Sequence, residues 1–258
     1  MFEIWSLAPL LAQSDPATAG SEMLPLYPGV LLYATILAAA HLLAPQIRAR
    51  FEKQEREVAS LGGGMAVGYV FAHLLPELDK GHAMLGEFIF VLALISLVIY
   101  YGLEKYMLLH KAKYVDSEGE HRNFRLKLTQ LAVYNWLIVY GTPTELAESG
   151  FHAIPVVLAI GIHLVHADYS FSGEYPQPFV AWGRYVLAAA PLIGWITVVI
   201  DGKTNDELND IFVALLAGTI LYNVFKEELP EHDKSHFRWF LAGATGFVAF
   251  AYLEHGLR

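Results

Sequence analysis

Two stretches of this chain, SLGGGMAVGYVFAHLLPELDKGH at 60–82 and ALLAGTILYNVFKEELPEHDKSH at 214–236, are diverged copies of one another. Ten of the 23 aligned positions are identical, among them Phe71 with Phe225 and the Leu-Pro-Glu runs at 75–77 and 229–231. Ordinary residue frequencies would match about one or two positions by chance. The chain therefore contains an internal repeat with a spacing of 154 residues.

The composition is typical of a protein embedded in a lipid membrane. Hydrophobic residues make up 55% of the 258 residues, and charged residues only 17%, against about 25% in soluble domains. The net charge of −9, without a basic stripe, excludes nucleic acid as an expected partner. Because the chain has no cysteine, a metal ion would have to be held by His, Asp, Glu, Asn or backbone carbonyl groups.

The apolar runs predict an all-α integral membrane protein, since a span needs about 20 apolar residues and an open backbone cannot satisfy its polar groups in lipid. Residues 1–27 are interpreted as an extracytoplasmic N-terminal segment, and 28–258 as one transmembrane domain. The predicted spans are 28–46, 59–77, 84–109, 126–141, 150–169, 180–200, 209–227 and 237–255.

The basic residues give these spans an orientation. Fourteen of the 17 Lys and Arg residues fall in alternate connections, and only Lys80, Lys203 and Arg258 lie on the other side. Basic connections stay in the cytoplasm, so both termini are predicted outside, in the cell membrane and most simply a bacterial inner membrane.

The repeat pairs the second span with the seventh, and these two cross the membrane in opposite directions. Spans 1–3 and 6–8 therefore form an inverted pair around spans 4 and 5, a 3+2+3 arrangement. Inverted repeats around a midplane site are typical of transporters, because the two halves rock to expose that site alternately.

Polar side chains inside spans are functional candidates by default, because burying them in lipid is costly. The fifth span contains His163, His166 and Asp168, and the fourth contains Asn135. Imidazole and carboxylate groups suit a borderline divalent cation such as zinc or iron. His41 in the first span and His73 in the second are interpreted mainly as structural histidines.

The two Leu-Pro-Glu helices resemble the second and seventh helices of the ZIP family of divalent metal-ion transporters. The resemblance covers the chain from about residue 28 onward, and it implies eight spans with outward termini. The family's helix 4 and helix 5 metal motifs align with YNWLIV at 134–139 and HLVHAD at 163–168. Asn135, His163 and Asp168 keep the expected donor types, whereas Tyr134, Ile138, Leu164 and Ala167 replace ligands of the family pattern.

The resemblance implies transport of a divalent cation, zinc, iron or similar, through a reduced site formed by Asn135, His163, His166 and Asp168. The cation is the substrate, no organic cofactor is expected, and the sequence is compatible with a homodimer in the lipid bilayer. Candidate side chains for the entrance and the exit of this pathway are His73, Glu77, Asp79, Glu145, Glu148, His152, Glu228, Glu231 and His232.

Two alternatives stay open on the sequence. The chain is also compatible with a ZIP-like scaffold that has lost metal transport and acts as a sensor or carries another substrate. An intramembrane metal-dependent hydrolase is less favoured, because no HExxH-type motif is present and the repeat has no role in it. The chain is therefore predicted not to be an enzyme.

Overall fold

The computed structural model describes residues 27–113, 117–141, 154–201, 206–228 and 236–255. These residues form eight long helices, and each of the predicted spans overlaps one of them. The helices are α1 Pro28–Phe51; α2 Glu55–Tyr69, continued by Val70–Leu74 and Leu75–Leu85; α3 Phe88–Lys113; α4 Ser117–Gly141; α5 Ile154–Glu174; α6 Pro176–Pro178, continued by Phe179–Gly183 and Arg184–Asp201; α7 Asp206–Asn223, continued by Val224–Glu228; and α8 Phe237–His255.

Five helices within the described residues are long and apolar enough to cross a membrane. These segments are Pro28–Ile47, Arg56–Leu85, Phe88–Leu109, Pro176–Asp201 and Leu208–Lys226. The helix α4 is not among these five, because its first half carries Glu120, Arg122, Arg125 and Lys127. The protein is thus an all-helical membrane protein in its described part.

The two repeat helices share an irregularity. Val70–Leu74 in α2 and Val224–Glu228 in α7 are both π-helical, and they are offset by 154 residues. In α2 the wider turn directly precedes Pro76, which has no backbone N–H to donate. The helix therefore passes the proline and continues to Leu85, well beyond the predicted end at residue 77. It stops at Gly86, whose φ of +59° suits glycine.

Glycines set the closest helix contacts. A methyl group on Gly64 of α2 would overlap the carbonyl oxygen of Phe240 in α8, and one on Gly218 of α7 would overlap that of Ala93 in α3. Gly64 and Gly218 are themselves 154 residues apart. The pairs α2–α8 and α7–α3 thus pack backbone to backbone at corresponding glycines.

The remaining helices close the bundle around α4 and α5. The first helix packs on α5 and α6, α4 packs on α6 and α7, and α2 packs on α5. A central core cluster includes Leu37, Ile138, Leu164 and Ala217, and a second cluster of Phe124, Phe171 and Phe179 lies nearer the end with the basic connections. The polar residues of the spans lie among these buried side chains.

Candidate functional site

Three polar side chains from three helices meet inside the bundle. Nδ1 of His41, on α1, lies 2.7 Å from Oδ2 of Asp168, on α5. Nε2 of the same ring lies 3.1 Å from Oδ1 of Asn135, on α4. Each of the three residues is only 1% exposed. We call His41, Asn135 and Asp168 the polar trio.

The hydrogen bonds fix most of the protons in the trio. Nδ2 of Asn135 donates to the carbonyl oxygen of Leu131 at 2.9 Å, so Oδ1 faces His41 and can only accept. Nε2 of His41 therefore donates to Asn135. A further proton lies between Nδ1 and the Asp168 carboxyl group, because one of the two must donate across 2.7 Å. Every buried polar atom facing His41 thus has a partner, as buried polar groups require.

The local sequence explains why His41 is buried. Apolar residues recur every three or four positions along α1 and form its inner stripe: Val30, Tyr33, Ala34, Leu37, Ala38 and Ala44. His41 continues this stripe, so the helix that packs on α5 and α6 turns its imidazole inward. Alanines at 38 and 44 leave the ring room among larger neighbours.

His163 belongs to another layer of the bundle. It is 5% exposed, and its ring makes an edge-to-face contact with the ring of Tyr134, with centroids 5.8 Å apart. Tyr69, Tyr134 and His163 line a cavity of about 10 Å³ between α2, α4, α5 and α7. The structure therefore separates His163 from Asp168, although both lie on α5.

His166 faces a different region again. It is half-buried and lines an apolar groove of about 480 Å³ between α1, α2 and α5. Other lining residues include Ile36, Phe51, Val58 and Leu158. Of the four predicted metal ligands, only Asn135 and Asp168 are brought to one place.

The predicted entrance residues within the described part lie at one end of α2. The His73 ring lies 5.1 Å from that of Tyr69, Glu77 pairs with Lys80 at 2.6 Å, and Asp79 is exposed. Other predictions lie outside the described residues or side chains: Glu145, Glu148, His152, Glu228, Glu231 and His232.

The trio is a sparse donor set for a metal ion. No group of three or more His, Asp or Glu side chains comes close enough to hold a metal within the described part of the chain. The trio offers one imidazole, one carboxylate and one amide oxygen, which are donor types that divalent cations accept. Any site here would be weak, because Asp168 and Asn135 lie at opposite nitrogens of the His41 ring and one cation could contact all three only after these side chains moved.

His41, predicted to be mainly a structural histidine, lies between Asn135 and Asp168, a position that was not predicted. The available signal was its location in the middle of an apolar span, where an ionisable group is a functional candidate. No protein-family model matches this chain, and no curated protein matches it in sequence. The fold and the site define a helical membrane protein with a buried polar centre.

Proposed function

We propose that this protein is a ZIP-like membrane transporter that carries a divalent cation, zinc, iron or similar, by alternating access. The observation that carries the proposal is the polar trio, which joins α1 to the central helices α4 and α5 through hydrogen bonds of 2.7 and 3.1 Å. A buried site shared between α1 and the central helices is where movement of α1 against α4 and α5 would alter cation binding.

The repeat supports the transporter class. The π-helical segments of α2 and α7 share a 154-residue offset, and so do Gly64 and Gly218, each of which meets a backbone carbonyl of a neighbouring helix. These matches favour eight spans in a 3+2+3 inverted arrangement, with the basic connections in the cytoplasm of a bacterial cell.

The weakness of the donor set fits transport. A carrier must bind its cargo firmly enough to accept it and loosely enough to release it. We propose Asp168, Asn135 and His41 as the ligands of the cargo ion, with His163 one layer away along α5. Binding would replace the hydrogen bonds within the trio by contacts to the cation.

A sensor or scaffold is the second candidate function, and one observation favours it. The three side chains of the trio satisfy one another, which is the arrangement that a purely structural polar network would have. If no metal ion binds to this protein and the protein carries none across the membrane, the sensor or scaffold function is favoured.

Transport in proteoliposomes is the direct test. We expect purified wild-type protein to move zinc or iron(II) down its gradient, and Asp168→Asn to lower the rate by about tenfold or more, because even indirect partners of metal ligands contribute 10- to 100-fold. The rate of cation uptake, followed with a trapped fluorescent chelator, measures this. His166→Ala is the matched control on the same helix, and its rate should stay within about twofold of the wild type.

Equal rates in wild type and Asp168→Asn would contradict the proposed site. Uptake no faster than in empty liposomes, for every divalent cation tried, would contradict the proposed cargo.

The topology has its own test, which the absence of cysteine makes simple. Single cysteines at Glu120 of α4 and at Asp79 of α2, both exposed, are expected to react with a membrane-impermeant thiol reagent from opposite sides. The basic connection containing Glu120 should react only from the cytoplasm. Labelling of both cysteines from one side would exclude the proposed arrangement.

A further inference from the structure

A second polar cluster closes the bundle at its basic end, below the trio. Nζ of Lys226, on α7, lies 2.6 Å from Oε1 of Glu104, on α3. Glu104 is 14% exposed and Lys226 33%, so solvent screens this ion pair only in part. One helical turn deeper on the same two helices, the rings of Tyr100 and Tyr222 lie 6.4 Å apart. Together these four residues form a cap between α3 and α7.

Behind the cap lies a small cavity of about 20 Å³, room for about one water molecule. Its polar lining comes from α3, α4 and α7, and consists of Tyr100, Glu104, Lys127, Gln130, Asn223 and Lys226. The inner wall is formed by Leu131 and Ala167.

No residue of the trio lines this cavity, but the two residues of its inner wall are neighbours of the trio. The carbonyl oxygen of Leu131 accepts the hydrogen bond from Asn135, and Ala167 directly precedes Asp168. Two apolar side chains, Leu131 and Ala167, thus lie between the trio and the cavity that leads to the ion pair at the basic end. Ionisable side chains near the end of a membrane-spanning helix that pair with each other are functional candidates.

The repeat shows that the ion pair is not a duplicated structural feature. With the offset of 154 residues, Lys226 corresponds to Ala72. In the third and eighth helices, Ala93 and Phe240 correspond, because each contacts one of the two equivalent glycines. These two residues are 147 positions apart, and the same offset makes Ala251 the counterpart of Glu104. The charges are thus present in only one of the two halves.

We propose that the Lys226–Glu104 ion pair is the gate of a release passage that leads from the polar trio to the cytoplasm between α3, α4, α5 and α7. This inference rests on the proposed transport function. A cation leaving the trio would compete with the Lys226 ammonium for the Glu104 carboxylate, and Lys226 would swing toward the surrounding water on its flexible stem. The outer half, with alanines at the corresponding positions, would close by apolar packing alone.

Thiol labelling of the full-length protein tests the gate without any cargo. Ala167→Cys is the reporter, since this residue is 7% exposed and forms the inner wall of the cavity. We expect a membrane-impermeant thiol reagent, applied from the cytoplasmic side, to label it slowly in the otherwise cysteine-free protein. Adding Lys226→Ala or Glu104→Gln should raise the labelling rate by roughly tenfold. The loss of about one ion pair is enough to shift the equilibrium between the closed and the open passage by that factor.

A charge swap separates the ion pair from the bulk of its side chains. Lys226→Glu combined with Glu104→Lys should return labelling of Ala167→Cys close to its slow rate. Leu131→Cys, on the opposite part of the inner wall, serves as a second reporter if Ala167→Cys does not fold. Labelling from the external side should stay slow in every variant.

Unchanged labelling in both single variants would overturn the gate, and so would a charge swap that labels as fast as they do. If the labelling behaves as expected while wild-type protein moves no divalent cation, the passage stands and the proposed cargo falls.

Discussion

Replacing His41 by leucine is expected to destabilise the protein by about 3–5 kcal/mol, because it leaves the Asp168 carboxyl group buried without its partner. Replacing His41 and Asp168 together by leucine should recover only part of that loss, because the buried amide oxygen of Asn135 still lacks the donor that Nε2 of His41 supplied. Similar apolar side chains can fill the place of a buried pair at little cost once neither polar group remains. Reversible unfolding in detergent, followed by tryptophan fluorescence, measures both changes.

The double variant also separates structure from function. We expect it to fold and yet to move no cation, since two of the three proposed ligands are gone. His73→Leu is the matched control, because that ring is only half-buried and should change stability by less than about 0.5 kcal/mol. A single His41→Leu variant as stable as the wild type would show that the 2.7 Å contact contributes nothing to the fold.

Much of the helical framework could be predicted from the sequence, because lipid leaves few choices to an apolar run of about 20 residues. The eighth helix has the predicted bounds, Phe237–His255. The repeat also identified the two helices that share a π-helical segment, although nothing in the letters F-x3-LPE specifies a π turn. The span predicted at 59–77 covers only part of α2, because the helix continues past Pro76 to Leu85.

The composition of the site was harder to predict than the helices. Periodicity indicates which residues share a face of one helix, but it does not give the rotation of that helix against its neighbours. His163 and His166 were both predicted to share a site with Asp168, whereas the structure places them against Tyr134 and in the apolar groove. The contact that Asp168 does make is to His41, 127 residues earlier in the chain.

The polar trio includes a residue of a third helix, α1, and the local sequences of α4 and α5 do not predict that α1 packs there. Asn135 and Asp168 were singled out because they are polar within spans, and both lie against His41. The ion pair of Lys226 with Glu104 carries no local signal either, since each residue alone reads as an ordinary charge at the end of a span.

Gly243→Ala and Gly246→Ala, three residues apart on α8, are expected to have opposite effects on stability. A methyl group at 243 would overlap the carbonyl oxygen of Leu61 in α2, whereas one at 246 has no neighbour within 4 Å. Backbone cannot rotate away as a side chain can, so Gly243→Ala should cost at least about 3 kcal/mol, at or above the usual range for overpacking. Gly246→Ala should stabilise the helix by up to about 1 kcal/mol, the difference in helix propensity.

The same measurement on Gly64→Ala and Gly218→Ala tests the repeat in energetic terms. Each added methyl group would meet a backbone carbonyl oxygen, of Phe240 in one case and of Ala93 in the other. If the two halves pack alike, the two losses of unfolding free energy should agree to within about 1 kcal/mol, and each should far exceed that of Gly102→Ala, which has open space around it. Unequal losses, or a loss at Gly102 as large as at Gly64, would contradict a shared packing geometry. Equal losses would mean that the contacts α2–α8 and α7–α3 share one close packing geometry, as the internal repeat predicts.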